Sequence, residues 1–109
     1  MPWLVRDGEV LATLEIAESS KARARGLLGR DDFDGALLLQ PAKSVHTIGM
    51  RFPIDVAYVD RNMVVLRTAT MARWRVGMPV FKAHGVIEAR ADTFGHWNLQ
   101  VGDQLEVKG

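Results

Sequence analysis

The stretch that decides the fold is Val45–Asp60, which reads VHTIGMRFPIDVAYVD. Its second half, Ile54–Val59, is almost continuously apolar and reads as a buried strand. Pro53 has no N–H for a ladder, so a strand must break or lie at an edge there. Before the proline, alternation from Ser44 to Met50 puts His46, Ile48 and Met50 on one face, with Val45, Thr47 and Gly49 on the other. Gly49 within such a run marks a bulge or a close backbone approach. After the proline, Ile54, Val56 and Tyr58 share one face, while Asp55 shares the other with Ala57 and Val59. A carboxylate placed among apolar neighbours needs a partner, and Arg51 and His46 are the near candidates.

Working outward, Arg61-Asn62 makes a turn, and Val64–Thr70 returns as a strand paired with Ile54–Val59. Upstream, Ala36–Leu39 is a brief apolar run with the length of a buried strand, stopped by Pro41 and preceded by polar turn residues from Asp31 to Gly35. Ser19 or Ser20 caps a short helix through Lys21-Ala-Arg-Ala-Arg25, which Gly26 or Gly29 ends. Its Lys21, Arg23 and Arg25 form a solvated face. Near the start, Trp3–Val5 and Val10–Ile16 flank Asp7-Gly8, a favoured hairpin turn, with Val10, Ala12, Leu14 and Ile16 on one face. Downstream, Ala72–Pro79 has no period and reads as a loop. Val80–Arg90 reads as a strand bent at Gly85. Asp92 caps a helical turn through Trp97, and Gly102-Asp103 leads into a last strand, Gln104–Val107. The expected fold is mainly β: a compact small barrel or sandwich of about seven short strands in one domain, with one N-terminal helix and a helical turn near the C-terminus.

Composition narrows the function classes. A chain of 109 residues, 48% apolar and 25% charged, matches an ordinary globular domain able to hold one core. A net charge of +1 argues against a partner selected by bulk charge. The absence of cysteine excludes disulfides, thiolate metal sites and a cysteine nucleophile. MPWLVRDGEV is unlike a signal peptide, and no apolar run approaches the roughly 18 residues of a membrane span, so a cytoplasmic location and no membrane partner are expected.

Two features carry functional expectations. The first is a pocket for a small polar ligand or a peptide end, with His46, Arg51 and Asp55 as its polar groups and Met50 and Phe52 as its apolar wall. The plainer alternative is that Asp55 accepts backbone N–H groups at the kink, or pairs with Arg51, simply to be satisfied. A metal is not expected: His46 and Met50 face the same way, but four residues of extended strand separate them by about 13 Å. There is no GxSxG, no catalytic residue is assigned, and no cofactor is expected. A His46–Asp55 acid–base pair is the weakest of the readings.

The second feature is a basic segment between Arg61 and Ile87 that holds five cations (Arg61, Arg67, Arg73, Arg75 and Lys82) and no acid. Arg67, Arg73, Trp74 and Arg75 form a candidate surface for a protein partner, the alternative in which the central stretch is purely structural. Basic groups interleaved with an aromatic can also hold single-stranded nucleic acid, but no RNA-binding signature accompanies them, so that partner is not expected.

Together, VHTIGMRFPIDVAYVD, VIEAR at Val86–Arg90, LQVGDQLEV at Leu99–Val107 and GLLGR at Gly26–Arg30 resemble the DUF192 family of uncharacterised prokaryotic proteins. The likeness runs from about Ala12 onward and matches the family's motif at Gly26, Leu27, Arg30, His46, Met50, Pro53, Asp55, Glu88, Gly102 and Asp103. It implies a mostly β domain with a short early helix and no established activity. The sequence departs from the pattern at Gly49-Met50, where many members have Trp-Met, and at Arg51-Phe52, where many have a longer spacer with Asn-Thr. Leu28 stands in place of a usual Met, and Arg90 where many continue toward glycine. Many members are also exported behind a leader that this N-terminus does not resemble.

Overall fold

Ile54–Val59 forms a strand, β4, in which all six residues are buried. That is the behaviour of a strand covered on both faces. The computed structural model describes residues 2–109. Seven strands occur among them: β1 (Trp3–Arg6), β2 (Glu9–Ala17), β3 (Ala36–Leu39), β4, β5 (Val65–Met71), β6 (Gly85–Arg90) and β7 (Glu106–Lys108). Two short helices, α1 (Ser20–Arg25) and α2 (Thr93–His96), complete the order. The strands make one sheet in the order β5-β4-β6-β3-β2-β1-β7. Only β2 and β3 pair in parallel, and α1 lies in the crossover between them.

The sheet is strongly curled. β2 pairs with β1 up to Thr13 and with β3 from Leu14 onward, so one strand turns the corner between two halves. At the open side, Val64 bridges Gln104, and Val65 N–H donates to the Asp103 carbonyl at 2.8 Å. The result is a mainly β domain that approaches closure without a continuous ladder.

The alternation read from the sequence sorts two cores. Leu37, Leu39, Ile54, Val56, Tyr58 and Val86 belong to one, beneath α1 and the loops. Ala36, Leu38, Ala57, Val59, Ile87 and Ala89 belong to the other, inside the curl with Leu4, Phe94 and Leu105. Each fully buried Leu, Ile or Val contributes about 1.5–3 kcal/mol from desolvation, so the three inner strands hold the fold together.

Several expectations needed correction, among them the last strand, which spans Glu106–Lys108 and not Gln104–Val107. Val10 and Ile16 are exposed, because a bulge at Leu4/Val5 and the change of partner at Thr13–Leu14 break the alternation of β2. The strand expected over Val80–Arg90 begins only at Gly85, and residues before it form a turn, with Ala83 N–H donating to the Val80 carbonyl. Residues 44–50 are not a strand: His46 makes a single bridge to Val76. Gly49, at φ 79°, turns the chain so that Met50 is buried while His46 and Ile48 stay exposed. That φ disfavours any side chain at position 49, and an added Cβ at 2.9 Å from Leu28 Cδ1 would also require the Leu28 side chain to shift.

Local signals succeeded where the cause was local. Ser19 caps α1, its Oγ accepting from Ala22 N–H at 3.1 Å, and Gly26 ends the helix at φ 50°. Asp7 and Gly8 form the two-residue hairpin turn.

Candidate functional site

The polar residues of the central stretch do not converge. Arg51 turns outward and pairs with Asp31 across an exposed surface. His46 is exposed, its Nδ1 facing Ile48 N–H at 3.3 Å. Phe52 is buried in the outer core and lines no cavity with His46. Asp55 is 3% exposed, on the opposite face of β4 from Ile54 and Val56. Its Oδ1 accepts from Thr70 Oγ1 at 2.7 Å, and its Oδ2 accepts from Phe94 N–H at 3.0 Å.

Asp55 thereby does the work expected of Asp92. Asp92 stands at the start of α2 but makes no side-chain capping bond, at φ 74°. The orphan N–H at this helix start is satisfied from β4, 39 residues upstream. Asp55 is satisfied within the domain, but by Thr70 and Phe94 and not by the backbone at the kink or by Arg51, the partners expected for it.

Asp55 also borders an open groove with both oxygens matched, whereas a second buried carboxylate meets a cavity with an oxygen unmatched. Glu88 lies on β6, with Val86 on the same face and Ile87 and Ala89 on the other. It is 2% exposed, and its Oε1 has no hydrogen-bond partner. Burial pushes its pKa up to about 7, while the nearby Leu27 N–H pulls weakly the other way. Above it, Gly26 leaves room that no other residue would leave, because an added Cβ would stand 3.0 Å from Glu88 Oε1. Gly26 also holds φ 50° and ψ −128°, a conformation that side-chain-bearing residues avoid.

The space beside Glu88 measures about 180 Å³. Leu28, Leu39 and Met50 supply apolar wall, and His46, Arg23 and Arg25 line its solvent side. Two of the expected ligand residues, His46 and Met50, are thus brought together, while Arg51, Phe52 and Asp55 lie elsewhere. The group missed by local reasoning is Glu88. Its signal was available: in VIEAR an acid sits between apolar neighbours, the pattern that drew attention to Asp55.

Thr47 accounts for the remaining buried polar position in the stretch. Its Oγ1 accepts from Arg75 N–H at 2.8 Å and donates to the Ala72 carbonyl at 2.6 Å. Its carbonyl accepts from Trp74 N–H at 2.9 Å. Thr47 therefore pins the basic loop against the body, leaving Arg73, Trp74 and Arg75 exposed, with Arg67 exposed on β5.

The model of the DUF192 family, described as Uncharacterized ACR, matches residues 3–107. The chain belongs to this family. The DUF192 domain is similar to a UPF0127 protein of Pyrococcus abyssi, 28% identical over 98 residues covering 85% of this chain and 84% of that one. It is also 28% identical to one from Pyrococcus horikoshii over 105 residues, covering 92% and 88%. A crystal structure from Sinorhizobium meliloti, assigned provisionally to transcription regulation, shares the fold with a TM-score of 0.81 at 18% identity, over 97% of this chain and 91% of that one. A protein of unknown function from Novosphingobium aromaticivorans does so with a TM-score of 0.79 at 17% identity, over 96% and 82%. No helix among the described residues of this DUF192 domain is long and apolar enough to cross a membrane.

Proposed function

We propose that this DUF192 domain binds a small polar ligand in the cleft between α1 and the 44–50 segment, with Glu88 as the group that fixes it. The observation that carries the reading is the unpartnered Oε1 of a buried carboxyl facing a cavity. A buried polar atom without a partner is destabilising, and a ligand that supplies the missing hydrogen bond recovers that loss on binding. A space of about 180 Å³ suits a ligand no larger than a small organic acid, amino acid or amide.

The polarity of the cleft narrows the ligand further. Glu88 is the one acid lining it, and Arg23, Arg25 and His46 stand at its solvent side. A ligand with a hydrogen-bond donor pointing inward and a carbonyl or carboxylate pointing outward complements both ends. Leu28, Leu39 and Met50 contact its apolar body. Arg51, Phe52 and Asp55 are not part of this site.

A screen of small amino acids, hydroxy acids and amides by ligand-observed NMR tests the reading. Ligands should bind the wild-type chain, lose affinity in Glu88→Gln and in His46→Ala, and be blocked by filling the cleft with Leu28→Trp. If every bound compound is unaffected by Glu88→Gln and Leu28→Trp in folded protein, the cleft is not the site. The protein-partner reading draws support from a separate region, the surface around β5.

A further inference from the structure

β5 is an edge strand of seven residues, hydrogen-bonded to β4 on one side. Beyond its first residue, Val65, its outer edge is open: residues 66–71 make no backbone hydrogen bond outside the β4 pairing among the described residues. The other edge, β7, is three residues long and so offers little to pair with. Natural sheets blunt long edges with prolines, lysines or covering segments. β5 carries no proline, and Thr68 to Met71 carries no charge.

Open grooves flank this edge on both faces of the sheet. One, about 370 Å³, is lined by Tyr58 and Ala69 with Arg67, Arg75, Val76 and Met78. The other, about 630 Å³, is lined by Thr68 and Thr70 with Asp55, Asp92, Phe94 and His96, so it suits the neutral side chains of an added strand and leaves the acids to the first groove. A strand added to β5 would place alternate side chains into each groove, as side chains point alternately to the two faces of a sheet. The first groove is cationic and carries an apolar patch. Met78 is 72% exposed and Val76 73%. Arg73 and Trp74 extend the same loop, and no acid occurs between Arg61 and Ile87.

We propose that β5 accepts an extended acidic segment of a partner protein as an added strand, with backbone pairing along residues 66–71 and its acids read by Arg67 and Arg75. A second copy of this chain fits less well. Paired antiparallel over residues 66–71, a second copy would set Arg67 opposite Thr70, and its own β5 would bring no acid to Arg67 or Arg75. The surface is separate from the Glu88 cleft, so failure of either proposal leaves the other standing.

The test uses the full chain and a capped octapeptide alternating Glu and Thr. The peptide should slow amide hydrogen exchange at residues 66–71 and shift the resonances of Arg67 and Arg75. The variant R67E/R75E, altered only at exposed positions, should bind about tenfold more weakly. Methylating alternate backbone nitrogens of the peptide should abolish binding, since an added strand depends on them. Absence of binding at millimolar peptide would overturn the proposal. So would equal binding of a Lys/Thr octapeptide, equal binding of the methylated peptide, or protection confined to amides outside 66–71. Concentration-dependent dimerisation that protects the same amides without peptide would assign the edge to a second copy instead.

Discussion

Asp55 and Glu88 are the two buried carboxylates of the sheet, on neighbouring strands whose register sets Val56 opposite Glu88 and Asp55 opposite Ala89. They therefore point to opposite faces. On the inner face Asp55 is matched by a threonine hydroxyl and a helix N–H, and no cavity is required to explain it. On the outer face Glu88 has an oxygen without a partner and a space in front of it. A carboxylate among apolar residues is thus not itself a sign of function; the sign is the partner it lacks.

Removing the satisfied group should have the larger effect. Asp55→Ala leaves the Phe94 N–H and the Thr70 hydroxyl unmatched, and is expected to destabilise the domain by about 4 kcal/mol in urea unfolding. A loss under about 1 kcal/mol, less than a quarter of what two charge-assisted bonds of roughly 2 kcal/mol each allow, would erase the distinction between the two acids.

Glu88→Gln should act in the opposite sense, and only where Glu88 is ionised. Its native pKa is raised to about 7 from 4.5, so between those values the native state holds a proton that the unfolded chain has released. Stability from this group therefore falls as pH rises from about 4.5 and levels off above about 7. Glu88→Gln should match wild type near the lower limit and exceed it by about 3 kcal/mol above the upper one. Parallel stability curves across that range would mean that Glu88 finds a partner in solution.

Gly26→Ala combines a disfavoured backbone conformation with a Cβ pressed on Glu88 Oε1, and should cost about 2 kcal/mol. Coupling it with Glu88→Ala should recover about 1 kcal/mol, the part due to contact. Strict additivity would confine the role of Gly26 to the backbone. The smallest effect belongs to Arg51→Ala. Its exposed pair with Asp31 should leave the midpoint of unfolding within a few tenths of a kcal/mol of wild type. A larger change would return Arg51 to the site from which the geometry separates it.

Local chemistry was legible without coordinates wherever the cause lay within a few residues. Ser19 and Gly26 bound α1, Ala36–Leu39 is a strand to the residue, and the two faces of Ile54–Val59 fall as alternation requires. The family's motif positions were readable too, Glu88 among them, though without the environment that gives that carboxyl its interest. His46, Arg51 and Asp55 misled because nearness along the chain was taken for nearness in space. Gly49 turns the segment, Pro53 starts a new strand, and the three side chains leave in different directions.

The order of the residues alone determined the β character, the first helix and the two faces of Ile54–Val59, because pleat, cap and turn act over one to four neighbours. It also marked Asp55 as out of place, and Glu88 only as a position of the family's motif. Only the tertiary structure decided between them. The partners of Asp55 come from 15 and 39 residues away, and the cleft beside Glu88 is built from α1 and the 44–50 segment. Hydrogen-bond satisfaction and open volume belong to chain segments that meet only after folding, and no reading of spacing can supply them.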